Sequence, residues 1–364
     1  MKQRFPKWDN LKCVLIVLVV LGHCIETFID DSWLFKRMWS MIYVFHMPLF
    51  AFVSGLFAKN TIADKLKLKK NICFYLKAYF IYKILLMFVR LVFSGEGKFN
   101  LFYEKSIPWY MLAMALFLVI TYLVRKVRPS YVLFVSVLLA CAIGFDNTIG
   151  DFLTLTRVIN FYPFFIVGYY AKSDMKIFES SRTKRILSVI VLIGFIAVSW
   201  VYISKLYNLR PMLTGRNPYS SFCRVENGIL YRIAYYVVAS IISLAIIYLM
   251  PNKISSFTFL GKKSLQIYIW HGVVLNILRQ LSWEEKLMNN LPGLAWKIIV
   301  VMSSIVIIGI SCIPALDKIF CTITDSREKY VDRKGFELEY HINRSNGENE
   351  TSTSESLNKI KGWN

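Results

Sequence analysis

No cysteine in this chain stands at a spacing that would hold a metal. Of the seven cysteines, Cys13, Cys24, Cys73, Cys141 and Cys312 lie inside apolar runs, where they act as small hydrophobes. Cys223 falls in a loop expected on the outer side, so no extracellular disulfide within the chain is expected. The first apolar run passes through Ile25, Glu26 and Thr27 without a small-x-small cleavage site, so it reads as a retained helix and not as a secretory leader. No internal repeat suggests the inverted halves of a secondary transporter. Acidic residues are scarce, 23 against 44 Lys and Arg for a formal net charge of +21. The basic residues sit in short segments between apolar stretches and form no basic face or arm, which argues against nucleic acid as a partner and makes them topology signals.

What is abundant is apolar surface. With 56% hydrophobic residues and a mean hydropathy of +0.47, the chain carries more than one soluble core can bury, so part of it must face lipid. The many Tyr and Trp near the ends of apolar runs fit interfacial belts. About ten apolar segments can cross a hydrocarbon core of roughly 30 Å: 11–29, 39–58, 72–93, 109–124, 131–145, 158–171, 186–204, 229–250, 264–281 and 296–313. Alternate connections carry Lys59 to Lys70, Arg125 to Arg128, Lys172 to Arg185, and Lys253 to Lys263, and retention of positive charge places them in the cytoplasm. The long stretch 205–227 is basic through Arg210, Arg216 and Arg224, which weakens the charge rule there, yet its length and polarity suit an extracytoplasmic cap. The expected architecture is an all-α integral membrane protein of about ten transmembrane helices with both termini cytoplasmic, multi-pass in the cell membrane. Residues 1–323 form the transmembrane domain, and residues 324–364 a polar tail too poor in apolar side chains to offset its chain entropy, expected to be disordered in the cytoplasm.

Ionisable side chains within such spans are costly and are kept with a partner or a task. His23 lies well inside the first span, with Lys12 before it and Glu26 after it. Eleven helical steps separate Lys12 from His23, which puts both on one face about 16 Å apart along the axis. Glu26 lies roughly on the same side, where it can orient the imidazole or raise its basicity. The alternatives are a packing role for His23 and a snorkelling anchor for Lys12.

Four stretches then carry a resemblance: Asp9-Asn10-Leu11-Lys12 with Gly22-His23; Phe45-His46-Met47-Pro48-Leu49-Phe50 with Ser54-Gly55; Asn160-Phe161-Tyr162-Pro163-Phe164-Phe165; and Gly261-Lys262-Lys263-Ser264 through Trp270-His271. Together they resemble the acyltransferase 3 family, in particular its branch of fucose 4-O-acetylase-like membrane acetyltransferases. The resemblance implies a ten-helix domain with an essential first-helix histidine, acetyl-CoA as cytoplasmic acyl donor, and a glycan or lipid-linked saccharide as acceptor. Polysaccharide-synthesis proteins would be its partners alongside membrane lipids. Lys12 stands where many relatives have Arg, which keeps the charge and loses the bidentate fork.

The chemistry fits these residues. A sugar hydroxyl attacking a thioester needs a base, and neutral His23 can take its proton, with Glu26 as its catalytic companion. A two-step route in which the imidazole is acetylated first remains open. The oxyanion needs donors, for which Ser54 and His46 are candidates. The donor's phosphates call for cations, and Lys12 with Lys67, Lys69 and Lys70 supplies them, although a basic loop also sets topology and touches anionic lipid. On the acceptor side, Arg157 can grip a hydroxyl-rich or diphosphate-linked saccharide or pair with Asp151, and Trp109 can stack on a sugar or anchor a helix at the interface. His271 reads as structural. Two competing functions remain: a polytopic exporter of polysaccharide or small solute without acyl transfer, and an assembly protein that has lost catalysis.

Overall fold

The computed structural model describes residues 6–324 apart from 96, 98 and 173, so the polar tail expected to follow lies outside the described residues from 325 onward. The described residues are all-α, with only an isolated bridge between Tyr103 and Phe152. They fall into two units, one ending at Cys312 and one beginning at Ile313. The first holds α1 (Pro6–Ile25), α2 (Trp33–Ala63), α3 (Lys65–Ser94), α4 (Trp109–Val124), α5 (Pro129–Ala142), α6 (Leu155–Tyr170) and α7 (Arg182–Val201). It continues with α8 (Ile203–Asn208), α9 (Arg210–Leu213), α10 (Gly228–Leu249), α11 (Thr258–Lys262), α12 (Ser264–Gln280), α13 (Trp283–Asn290) and α14 (Ala295–Ser311). In the second, α15 (Pro314–Ile323) is the described helix.

A helix stands at each of the apolar segments read from the sequence. Five are long and apolar enough to cross a membrane, namely Pro6–Phe28, Trp33–Ala63, Lys65–Ser94, Arg182–Val201 and Val225–Leu249, or six when Ala295–Ser311 and Pro314–Thr322 are counted together. The helices α4 and α6 have 16 residues each. At about 1.5 Å per residue they fall short of a full hydrocarbon core.

Local chemistry sets the ends of the long helices. The Ser32 hydroxyl caps α2 by accepting from the Phe35 amide at 3.4 Å, and Ser181 caps α7 through the Lys184 amide at 3.2 Å. Asp64 alone separates α2 from α3, and its carboxylate accepts from the amides of Leu66 at 2.9 Å and Lys67 at 3.1 Å. Gly95 closes α3 in the left-handed region at φ +69°, where glycine carries no Cβ penalty.

The central crossing joins α2 to α6 backbone to backbone. A Cβ on Gly55 would fall on the Phe165 carbonyl, and one on Gly168 would fall on the Phe52 carbonyl. Without a hydrophobic driving force between helices in lipid, such close approach by small residues is how membrane helices gain packing energy. Around it, Trp8, Leu11 and Leu15 of α1 pack with Phe45, Leu49 and Val53 of α2 and with Ile242 and Ile246 of α10. The periphery is apolar instead of polar: Ile186, Ile190 and Ile193 of α7, Leu230 and Val237 of α10, and Ile298, Met302 and Ile305 of α14 all stand exposed. This inversion of a soluble surface suits contact with lipid.

Two outcomes follow. Gly168→Leu should force the crossing apart and cost about 1–3 kcal/mol or more, lowering the melting temperature in detergent, whereas Gly194→Leu, facing open space, should leave it unchanged. Equal melting of the two variants would refute the close crossing. The amide of Lys67, then that of Leu66, holds the Asp64 carboxyl below its ordinary value of 3.8. A depressed folded value stabilises the fold above the unfolded value and is lost as pH falls through the folded one. The melting difference between Asp64→Ala and the parent should therefore be full at neutral pH and shrink as pH is lowered below 3.8.

Candidate active site

On α1, Lys12, Ile16, Val19 and His23 follow one another at steps of four, three and four, which is a single helical stripe. The first three line a cavity of about 330 Å³, near the lower end of the range for ligand pockets. His23 stands one turn deeper, at 18% side-chain exposure. Its Nδ1 is 3.1 Å from Glu26 Oε2, and the Tyr43 hydroxyl lies 3.4 Å from the same nitrogen. A carboxylate can only accept, so Nδ1 carries the proton and Nε2 keeps its lone pair. Glycine at position 22 lets this assembly close, since a Cβ there would stand 3.2 Å from the Tyr43 ring.

Three more rings surround the pair. His271 of α12 stacks on His23 with centroids 5.6 Å apart, Tyr43 contacts His46 at 4.5 Å, and Trp39 stacks on Tyr43 at 3.8 Å. His46 donates from Nδ1 to the Ile42 carbonyl at 2.9 Å, and His271 does the same to Ile267 at 2.9 Å. Each neutral ring thereby commits its one N–H to its own helix, and neither has a second proton to offer an oxyanion. The Arg279 Nη2 donates to the His23 carbonyl at 3.3 Å, capping the end of α1.

Opposite α1, the cavity is walled by Ser54 and Phe57 of α2, Tyr75 of α3, Tyr110 of α4 and Lys262 of α11. Lys12 pairs with Asp9 at 3.5 Å and lies 4.4 Å over the Phe57 ring. The hydroxyls of Ser54 and Tyr110 meet at 2.9 Å. Ser54 is eight residues beyond His46, about 12 Å along α2, so it belongs to the cavity and not to the histidine cluster. Tyr268 joins the two regions: it lines the cavity, its ring stands 5.8 Å from His271, and its hydroxyl donates to the Ile107 carbonyl.

The remaining sequence candidates are dispersed. Lys67, Lys69 and Lys70 are exposed on the first turns of α3 and do not line the cavity wall, and Lys67 pairs with Asp64 at 3.5 Å. Arg157 is buried at the start of α6, with Nη2 3.7 Å from Asp151 and 3.2 Å from the Lys105 carbonyl. Trp109 lies under that guanidinium at 5.0 Å and against Phe161 at 5.7 Å. Asp151 also binds Arg216 at 2.7 Å, so Arg157 and Trp109 form a buried ionic and aromatic cluster. The sequence reading had not drawn Tyr43, Tyr110, Lys262 or Arg279 into the site. Only Arg279 carried a signal, a charge near the end of an apolar helix. No group of His, Cys, Asp and Glu able to hold a metal occurs among the described residues.

A family model described as an acyltransferase domain, Acyl_transf_3, matches residues 5–314. The chain is similar to the nodulation protein NolL of Sinorhizobium fredii (strain NBRC 101917 / NGR234), with 46% identity over 59 residues, 15% of this chain and 16% of that protein. The match thus spans only that small part of the relative's length. No solved structure matches. Since Glu26 holds the His23 ring, Glu26→Gln should lower acyl transfer roughly tenfold to a hundredfold and leave the Michaelis constant of the donor within about twofold. Undiminished turnover would show that the carboxylate plays no part in the chemistry.

Proposed function

Because the chain belongs to the acyltransferase 3 family, we propose that it is a membrane-bound O-acetyltransferase that moves an acetyl group from cytoplasmic acetyl-CoA to a sugar hydroxyl of an envelope or exopolysaccharide glycan. The observation that carries this reading is the α1 stripe, which leads from Lys12 along the cavity to His23 with its Nδ1 engaged by Glu26. In this reading ten segments cross the cell membrane, both termini are cytoplasmic, and Lys12 and Lys262 mark the donor's mouth. The thioester lies along the cavity, and its phosphates meet these cations and the basic start of α3.

Transfer needs a base for a hydroxyl that is a poor nucleophile at neutral pH. His23 Nε2 takes the hydroxyl proton as the sugar oxygen attacks the acetyl carbonyl. The C–O bond forms, the C–S bond breaks, and the CoA thiolate takes the proton back from the imidazolium. The Glu26 carboxylate stabilises that imidazolium and fixes the ring, the role an acidic partner plays for a catalytic histidine. The Ser54 and Tyr110 hydroxyls can hold the donor in the cavity. The acceptor is a free glycan or a lipid-linked saccharide presented by polysaccharide-synthesis proteins.

The test is transfer of radiolabelled acetyl from acetyl-CoA to glycan in membranes holding equal amounts of the parent or His23→Ala. Base-labile label with the parent and at least about a hundredfold less with the variant is expected. Equal label in both would remove His23 from the mechanism.

A further inference from the structure

Two arginines flank the His23–Glu26 pair at the end of α1 away from Lys12. Arg279, in the last turn of α12, donates to the His23 carbonyl. Arg210, which opens α9, lies 5.3 Å over the Trp39 ring and donates to the Tyr207 hydroxyl at 3.1 Å. Trp39 stacks on Tyr43, whose hydroxyl reaches His23. A continuous column therefore runs from the Arg210 guanidinium to the imidazole. Both guanidiniums act electrostatically on the Glu26 carboxylate.

Nearby carboxylates are already engaged. Glu26 bonds to His23, while Asp30 takes the Tyr207 hydroxyl at 2.9 Å and the Lys36 ammonium at 3.9 Å. Among the described residues, neither Arg210 nor Arg279 closes an ion pair with a carboxylate. Elsewhere Arg157 and Arg216 share Asp151 and Lys83 holds Glu104 at 3.1 Å, whereas the buried Arg232 lies 5.7 Å over the Tyr219 ring. His23 and Glu26 keep 18% and 29% of their side-chain surface open, while His46 and His271 are buried. His23 does not line the donor cavity, and Arg279 meets its carbonyl at the end of α1.

We propose that Arg210 and Arg279 bind an anionic group of the acceptor, so that the saccharide acetylated at His23 carries a phosphate or a carboxylate close to the reacting hydroxyl. The inference rests on the acetyl-transfer reading of His23. A guanidinium presents a planar fork that matches both anions, and a charge-assisted bond in a partly desolvated site is stronger than a neutral one. Fixing the anion at two points also fixes the hydroxyl against Nε2, which converts binding into orientation.

The test uses the purified full chain, acetyl-CoA and three acceptors built on the sugar found to carry ester in the membrane assay. They are a neutral octyl glycoside, the corresponding octyl uronide, and the same sugar on a prenyl diphosphate. The parent should favour at least one charged acceptor over the neutral one by about tenfold or more in kcat/KM, and the better charged acceptor tells carboxylate from phosphate. Arg210→Gln should cut that selectivity ratio about fivefold or more, and Arg210→Lys, which keeps charge without the fork, should recover part of it. A parent without charge preference would overturn the proposal, as would Arg210→Gln losing charged and neutral turnover alike. In either case, ester that still depends on His23 leaves the acetyl-transfer reading standing. Absence of His23-dependent ester on all three would defeat both.

Discussion

The hydrogen bond between His23 Nδ1 and the Glu26 carboxylate, 3.1 Å long, sets what the rest of the site can do. It fixes the tautomer, leaves Nε2 with its lone pair, and would supply a counter-charge to the ring once protonated. Two ionisable groups near the end of an apolar helix are tolerated because each satisfies the other. The bond also depends on where α1 lies. Gly261 brings α11 onto the Asp9 carbonyl, Gly22 admits the Tyr43 ring, and Arg279 takes the carbonyl of His23 itself.

The cations differ in what they touch. Arg157, Arg216 and Lys83 are consumed by Asp151 and Glu104 and tie the connections between helices together. Lys12, paired with Asp9, and Lys262 stand on the cavity wall, Arg279 meets the His23 carbonyl, and Arg210 lies over the Trp39 ring.

Much of the helix order was legible in the sequence, because apolar length and flanking polar residues report directly on membrane-scale helices. The Lys12-to-His23 face followed from helical periodicity alone, and so did the position of Glu26. Long-range pairing was not legible. Nothing local in Pro108-Trp109-Tyr110 says that Tyr110 meets Ser54, 56 positions away, or that Arg157 would close on Asp151 over the Trp109 ring. The lysines at the start of α3 stand out by their density and lie exposed beside the Asp64 cap, while Lys262, less conspicuous beside Lys263, lines the cavity. His271, read from the sequence as structural, is buried and stacks on His23.

The central claim is that donor and acceptor meet at His23 from opposite ends of α1. Proteoliposomes with acetyl-CoA sealed inside and a membrane-impermeant acceptor glycan outside test it most directly. Ester on the external glycan from intact vesicles, absent when His23→Ala replaces the parent, is the predicted result. Ester that forms only after the vesicles are permeabilised would contradict it, since both substrates would then have to reach the imidazole from the same side.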